Sequence, residues 1–139
     1  TTEGGLNLLY KPKFLKNLIL KLKRNKSRVS LFIEPKISDI KKAKLFQADC
    51  IEIHTGKICN LINKNENYKK EYDKIKKGVN YAKRIGLEVH AGHGLTYKYA
   101  KILSKISNIK EFNIGHFLIG ESIFIGLSKS IKKFKKIIK

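Results

Sequence analysis

The stretch that decides the fold is Cys-Ile-Glu-Ile-His-Thr-Gly, residues 50–56. Its first five residues have the length and the apolar content of a buried strand, and Gly56 ends that strand. Glu52 and His54 are two residues apart, so both side chains lie on the same side of the strand. The stretch therefore predicts a strand that carries two ionisable side chains toward its end.

Similar apolar runs recur along the chain and alternate with longer amphipathic segments. The predicted strands are 29–33, 50–54, 87–91 and 112–114. The predicted helices are 10–23, 37–46, 68–85 and 97–106, followed by a last helix with its apolar face at 119–138. Alternation of this kind indicates parallel strands joined by right-handed crossovers.

Four βα units form either half of a TIM (β/α)8 barrel or a small open sheet. The barrel is typically about 250 residues long, and an open four-stranded parallel sheet would leave its edges and much of one face uncovered. The chain also begins at Thr1 and contains no Met. We therefore expect a single α/β domain over residues 1–139 that covers roughly the last four βα units of a TIM barrel, with the N-terminal half outside this chain.

The chain is strongly basic, with a formal net charge of +20. Lys supplies nearly all of the positive charge, because Arg24, Arg28 and Arg84 are the only arginines. Proteins that read nucleic acids favour Arg and stacked aromatic side chains, and the lysines here are spread along the chain. A composition shaped by A/T-rich codons is the favoured interpretation, and an anionic partner such as nucleic acid is the alternative.

Cys50 and Cys59 form neither a Cys-x-x-Cys pair nor a disulfide framework. No apolar run is long enough to span a bilayer, and no signal peptide opens the chain. These features predict free thiols in a reducing cytoplasm and no membrane partner.

Polar residues and glycines are concentrated at the ends of three of the predicted strands. They form Thr-Gly at 55–56, Ala-Gly-His-Gly at 91–94 and Asn-Ile-Gly-His at 113–116. In a parallel barrel these strand ends meet at the carboxyl rim, where active sites lie. Glycine lets backbone N–H groups approach a ligand, and the N-terminus of a following helix favours phosphate. The sequence therefore predicts an active site built from His and Gly at three strand ends.

Some of these residues also have simpler interpretations. A single His at a strand end is often a hydrogen-bonded structural residue, and Glu52 and His54 would be compatible with a plain ion pair. His90 and His93 suggest a metal pair by their spacing, but in a strand they lie on opposite faces, so no metal site is expected.

Short motifs run through the chain in a characteristic order. They are Thr-Thr-Glu-Gly-Gly-Leu at 1–6, Val-Ser-Leu-Phe-Ile-Glu at 29–34, Ile-Glu-Ile-His-Thr-Gly at 51–56, Gly-Leu-Glu-Val at 86–89, Ala-Gly-His-Gly-Leu-Thr-Tyr at 91–97, Asn-Ile-Gly-His at 113–116 and Gly-Leu at 126–127. In order and approximate spacing these motifs resemble the pyridoxine 5'-phosphate synthase family over essentially the whole chain. The resemblance implies a TIM barrel that condenses 3-amino-2-oxopropyl phosphate with 1-deoxy-D-xylulose 5-phosphate, without cofactor or metal. The implied products are pyridoxine 5'-phosphate, phosphate and water.

The resemblance also implies roles for individual residues. His93 would be the proton donor, and Gly94 a backbone contact to substrate. Glu52 would stabilise a cationic or proton-sharing transition state, and Thr1 would contact the deoxyxylulose phosphate. A reaction with repeated proton transfers requires several such acid and base groups near neutral pKa.

The remaining implied contacts concern the phosphorylated substrates and the assembly. Gly115 and His116 would bind the aminoketone phosphate, near the usual phosphate position of the barrel. The resemblance further implies a homo-octamer built from dimers. An alternative enzyme class is another phosphate-binding barrel, such as an isomerase or aldolase that uses His93 and Glu52.

The sequence departs from the family at several points. The family's first half supplies phosphate-binding arginines, a His general base and a second catalytic Glu, and none of these is in this chain. We therefore expect the isolated chain to be inactive. His90 stands where the family usually has a small or amide residue, and Glu121 stands where it usually has Arg.

Overall fold

The computed structural model describes residues 4–138. Helices and strands alternate as α1 (Pro12–Arg24), β1 (Ser30–Ile33), α2 (Ile37–Leu45), β2 (Cys50–His54), α3 (Gly56–Asn63), α4 (Lys69–Arg84), β3 (Glu88–Gly92), α5 (Tyr97–Leu103), β4 (Ile109–Asn113), α6 (His116–Ile125) and α7 (Leu127–Ile137). The four strands form one sheet in the order β1-β2-β3-β4, and every neighbouring pair is parallel. The predicted α/β fold with a parallel sheet is confirmed.

The apolar core lies between one face of the sheet and the helices. Because side chains alternate along a strand, every second residue faces this core. The buried strand residues are Leu31, Ile33, Ile51, Ile53, Val89 and Ala91, and the helices contribute Ile40, Ala43, Ile75, Val79 and Ala82. Val, Ile and Ala fit a pleated surface covered by helices, and along each strand the core-facing residues alternate with residues of the opposite face.

The opposite face of the sheet is largely polar. One row of residues in register crosses all four strands, namely Phe32, Glu52, His90 and Glu111. The following row brings His54, Gly92 and Asn113 side by side. Several side chains on this face stay partly or wholly exposed, including Ser30, Phe32, Glu52, Glu88, Glu111 and Asn113. The sheet is therefore apolar on one side and largely polar on the other.

The predicted elements differ from the structure in three places. Helix α3 was not predicted, because Gly56 was interpreted only as a strand terminator, whereas it is the first residue of that helix. The last predicted helix is two helices, α6 and α7, separated by Gly126 with φ +85°. Strand β4 begins at Ile109, three residues before the predicted start at Phe112. The polar residues Lys110 and Glu111 interrupt the apolar pattern, so the first part of this strand was not predicted.

Two further observations concern the helices. Gly86, with φ +73°, follows the end of α4 in the left-handed conformation that often ends a helix. Within residues 4–138, no helix has both the length and the apolar content needed to cross a membrane.

Candidate active site

The turn after β3 carries His93 in an unusual backbone conformation. His93 and Gly94 have φ values of +78° and +76°, so two consecutive residues are left-handed. This conformation is costly for a residue with a Cβ and persists only where neighbouring groups hold it. The turn therefore places the His93 side chain by backbone constraint.

Thr55 holds this turn from the neighbouring strand end. Its side chain is fully buried, and its hydroxyl oxygen lies 2.7 Å from the carbonyl oxygen of Gly92 and 2.6 Å from that of His93. The Thr55 backbone N–H also donates to the Gly92 carbonyl at 2.9 Å. The hydroxyl that would usually cap helix α3 is thus used to fix the His93 turn.

The His93 ring packs against two other rings. Its centroid lies 4.8 Å from that of His54 and 6.3 Å from that of Phe32. Gly56 leaves space for both imidazoles, since a Cβ at this position would lie 2.7 Å from His54 Nε2 and 2.8 Å from His93 Cδ2. The Thr55-Gly56 pair after β2 therefore makes room for His54 at the end of its own strand and also holds His93 at the end of β3.

Glu52 reaches across β3 to the end of β4. The Asn113 side-chain amide donates to Glu52 Oε2 at 2.6 Å. Gly92 lies between them, and a Cβ at this glycine would collide with the Glu52 carboxylate and lie 3.1 Å from Asn113 Cβ. Because Gly92 of β3 has no side chain, Glu52 of β2 can reach across β3 and bond Asn113 of β4.

His54 pairs with Glu34 rather than with Glu52. Its Nδ1 lies 2.8 Å from Glu34 Oε1, and the same oxygen accepts the Gly5 N–H at 3.1 Å. Burial alone would raise the pKa of Glu34, but the hydrogen bonds from Gly5 and His54 outweigh burial and lower that pKa below its ordinary value. The interpretation of Glu52 and His54 as a plain ion pair is therefore wrong.

Gly94 lies directly over Cys59. A Cβ on Gly94 would lie 3.3 Å from Cys59 Cβ, and Cys59 Sγ is 3.8 Å from the His93 carbonyl oxygen. Burial raises the pKa of the Cys59 thiol to about 11, so it is a neutral packing group at physiological pH.

Gly115 and His116 lie at the beginning of α6 and are both exposed. Gly115 precedes the helix, and a Cβ there would meet no atom within 4 Å. The first backbone N–H groups of a helix have no partner inside the helix and carry a partial positive charge. This end of the sheet therefore offers accessible donors suited to an anion.

A cleft of about 480 Å³ opens beside the two histidine rings. Its lining residues come from the strand ends and from α3 with its following turn: His54, Gly56, Lys57, Asn60, Leu61, Lys64, Glu66 and His93. A larger groove of about 1180 Å³ shares Lys57 and Leu61 with it and is lined by six lysines in all. The approach to His93 is therefore bordered by positive charge, which attracts phosphorylated molecules.

His90 and Glu121, which differ from the residues usual in the family that the motifs resemble, each lie next to charged side chains. His90 is buried, with Nε2 2.8 Å from Glu88 Oε1 and Nδ1 3.8 Å from Glu111 Oε1. Glu121 lies 3.6 Å from Lys133 Nζ of α7, so its charge is directed toward a lysine on the next helix.

The structure brings Glu52, His93 and Gly94 to neighbouring strand ends and places Gly115 and His116 at the end of β4. Thr1 lies outside the described residues. Within residues 4–138, no three His, Cys, Asp or Glu side chains are grouped closely enough to hold a metal ion.

Three residues of the site received no role from the sequence, namely Glu34, Thr55 and Asn113. Glu34 and Thr55 each follow a predicted strand and Asn113 lies within one, and this location near a strand end was the only indication that the sequence offered for these three residues. Their partners are 20 to 61 residues away along the chain, as in the Glu34–His54 and Glu52–Asn113 bonds, so only the pairing of the strands reveals the contacts.

Comparisons with known proteins agree with the motifs. Residues 1–139 match the family described as "Pyridoxal phosphate biosynthesis protein PdxJ". The pyridoxine 5'-phosphate synthase of Pelagibacter ubique is 56% identical over 137 residues, which cover 99% of this chain and 57% of that protein. The enzymes of the same name from Sulfurihydrogenibium sp. and Blochmanniella floridana are 46% and 42% identical, over 99% and 100% of this chain and 56% of each relative.

The chain thus spans little more than half the length of these curated relatives. The matched region includes every strand end described above. The identities and the full-length family match together show that the chain belongs to the PdxJ family, whose curated members here are named pyridoxine 5'-phosphate synthase.

Proposed function

We propose that this chain provides the C-terminal half of the active site of a pyridoxine 5'-phosphate synthase. The reaction is the condensation of 3-amino-2-oxopropyl phosphate with 1-deoxy-D-xylulose 5-phosphate. The observation that carries the proposal is the convergence of Glu52, His54 and His93 at the carboxyl ends of two neighbouring parallel strands. Membership of the family supports it, since the named relatives are synthases.

The proposed architecture is a TIM barrel of which this sheet is one half. Its apolar face would pack on the outer helices, and its polar face would line the interior. The register row that contains Glu52, His90 and Glu111 supports this arrangement, because polar side chains repeated across a sheet need water, a ligand or further polar groups opposite them. A cytoplasmic homo-octamer stays a prediction within the same proposal.

In this proposal His93 donates protons to the condensing substrates. The backbone turn and the Thr55 bonds limit where its ring can go, and the ring itself is exposed to the cleft. Glu52, fixed by Asn113, would hold a cationic or proton-sharing transition state. Glu52 lies within β2 and His93 directly follows β3, so both are held more rigidly than residues on long loops.

The phosphate contacts would come from the end of β4. Gly115 and His116 present backbone N–H groups at the N-terminus of α6, which favours an anion without a fixed side-chain charge. Gly94 would present its own backbone to the substrate, and its left-handed conformation explains why glycine is needed there. Thr1 would contact the deoxyxylulose phosphate.

The test is synthesis of pyridoxine 5'-phosphate by the full-length gene product. With both substrates present we expect product from the wild-type protein and a loss of about 100-fold or more in kcat for His93→Ala, because general acid catalysis contributes at least this much. Lys98→Ala changes an exposed residue of the adjacent helix α5 and serves as the control, with unchanged turnover.

Two outcomes would contradict the proposal. One is a folded, full-length protein that forms no product. The other is full activity in the His93→Ala variant. The isolated 139-residue chain is expected to be inactive, because the general base belongs to the family's first half.

A further inference from the structure

His54 Nε2 is a buried polar atom whose hydrogen-bonding capacity is unused. His54 is 8% exposed, and among the residues that the structure describes its Nε2 has no hydrogen-bond partner. Buried polar atoms are nearly always paired, so an orphan of this kind calls for a partner in another state of the site.

The other nitrogen of His54 determines what this orphan atom can do. Nδ1 faces Glu34 Oε1 at 2.8 Å, and an ionised carboxylate accepts but does not donate. Nδ1 therefore carries the proton, and in the neutral ring Nε2 presents a lone pair. When Nε2 also takes a proton, the resulting imidazolium is stabilised by the adjacent Glu34 carboxylate.

The lone pair lies on the side of the ring that faces His93. The two ring centroids are 4.8 Å apart at an interplanar angle of 60°. The missing side chain of Gly56 leaves a gap bordered by His54 Nε2 and by His93 Cδ2. The His93 ring is exposed, so a rotation about its side-chain bonds can bring a ring nitrogen toward His54.

We propose that His54, held by Glu34, is a positioning residue that orients His93 and returns to it the proton that His93 gives to substrate. The inference rests on the proposed synthase function. In each cycle one proton leaves the His54 imidazolium through Nε2 and is taken up by the neutral His93 ring. When the exposed His93 ring turns away, cleft water reaches Nε2 and reprotonates His54, and the hydroxide left behind is neutralised by protons from bulk solvent, so no other reactant is needed.

A relay suits a reaction with repeated proton transfers. A single acid that acts several times must be reloaded between steps. The structure contains a second Glu–His pair that provides a comparison, since His90 Nε2 lies 2.8 Å from Glu88 Oε1 at nearly the same burial. His90 has no ring contact with His93 in the described residues, so the same chemistry at that position has no route to the proposed acid.

The ionisable groups around His54 come from several elements. Glu34 and His93 contact it from the ends of β1 and β3, and Glu52 lies two residues earlier on its own strand. Lys57, Lys64 and Glu66 line the cleft from α3 and the turn after it. None of these is changed in the variants below except Glu34, so a shift in the pH profile is traced to the pair itself.

The experiment measures kcat and KM against pH for the full-length protein and for His54→Gln, Glu34→Gln and Glu88→Gln. For His54→Gln we expect kcat to fall about tenfold or more with little change in KM, because acid catalysis is impaired and binding is not. For Glu34→Gln the imidazolium loses its carboxylate, so activity should be lost at a lower pH on the basic side of the profile. Glu88→Gln should keep the wild-type profile.

Thermal unfolding of each variant separates catalysis from folding. Where buried His54→Gln does not fold, the partly exposed Glu34→Gln change, which keeps the side-chain volume, carries the test. An active wild-type protein whose His54→Gln and Glu34→Gln variants keep its kcat and pH profile overturns the relay alone. A wild-type protein that forms no product overturns the synthase proposal and the relay with it.

Discussion

The ends of β3 and β4 carry the same residue types, Gly and His, in very different settings. His93 has a left-handed backbone, a carbonyl bound by Thr55 and a ring packed against His54. His116 opens a helix, is exposed and forms no side-chain hydrogen bond within residues 4–138.

This difference separates two tasks that an active site must perform. A group that transfers protons must be placed to within a fraction of an ångström, because the rate depends steeply on geometry. An anion held by backbone N–H groups and a helix N-terminus needs accessible donors more than a fixed side chain. The tertiary contacts fix His93, the proposed proton donor, whereas the end of β4, the proposed phosphate-binding end, stays accessible.

After His93→Ala, the largest expected effect comes from Gly92→Ala, which disrupts the constrained end. The new Cβ would collide with the Glu52 carboxylate and crowd Asn113. The Glu52–Asn113 bond should break, and kcat/KM for product formation should fall about 100-fold, because a displaced carboxylate no longer meets the transition state.

Gly120→Ala is the matched control for this change. It lies inside α6, where a Cβ meets no atom within 4 Å, so activity and folding should be kept. Equal activity of the two variants would show that the Glu52 position does not matter for the reaction.

Thr55→Val tests the hydroxyl that fixes the His93 turn. Valine keeps the shape but removes the bond to the carbonyls of Gly92 and His93, so the free energy of unfolding should fall by about 1–3 kcal/mol. We also expect a loss in kcat, measured by product formation alongside chemical denaturation.

Thr96→Val removes a different Thr hydroxyl, the one that caps α5 through the Tyr99 N–H at 3.4 Å. It should lower stability by about 1 kcal/mol without a comparable change in kcat. If Thr55→Val and Thr96→Val lose activity in the same proportion, the turn has no special role.

His116→Ala tests the open end of the sheet. Because the side chain is exposed and forms no hydrogen bond within residues 4–138, we expect the melting temperature to be unchanged. The backbone N–H groups proposed to hold the phosphate are kept in this variant, so KM for the aminoketone phosphate should rise by no more than roughly tenfold, with kcat kept. A fall in kcat at constant KM would contradict the division of tasks between the two ends.

The smallest effect is expected away from both ends, at Asp49. Hydrogen bonds from Lys23 at 2.6 Å and from the Val29 N–H at 2.9 Å lower the pKa of this carboxyl, with burial opposing them. A lowered folded-state pKa stabilises the protein above the unfolded pKa of about 4, and this contribution is lost as the pH falls through the folded value.

Asp49→Asn should therefore cost about 0.5 kcal/mol at neutral pH, the range of partly exposed ion pairs. The difference from the wild type should vanish in acid. Denaturant titrations at several pH values check this, and a difference that grows as the pH falls would be the wrong sign.

Strands β1, β2 and β3 could be predicted because each has two apolar core-face residues two positions apart within a short run. Residues 50–54 were placed without error, and β1 and β3 within a residue or so at either end. Strand β4 is different, because its early residues are polar and the ladder shifts register between Val89 and His90, so periodicity gives no indication there.

The break at Gly126 escaped prediction for a related reason. Ile119, Ile123, Leu127 and Ile131 keep the spacing of one continuous helix across it. In the structure Ile119 and Ile123 are 58% and 79% exposed, so the apolar spacing of α6 does not correspond to burial in this core. A helical pattern shows which residues share a face, and only the tertiary structure shows what that face contacts.

The predicted site residues were recognisable as motifs, but their partners were not. The sequence was compatible with an ion pair between Glu52 and His54, but Glu52 bonds Asn113 and His54 bonds Glu34. These partners depend on strand register and on the space above Gly92, neither of which is encoded in local spacing.

Chemical labelling of Cys59 can report how often the His93 turn opens. The thiol is buried beneath the His93 turn, and its pKa of about 11 leaves almost no thiolate at neutral pH. Alkylating reagents can therefore modify it only during moments when the turn lifts away from α3. The rate of labelling at Cys59, compared with that at buried Cys50 in β2, would time how often the proposed acid leaves its place.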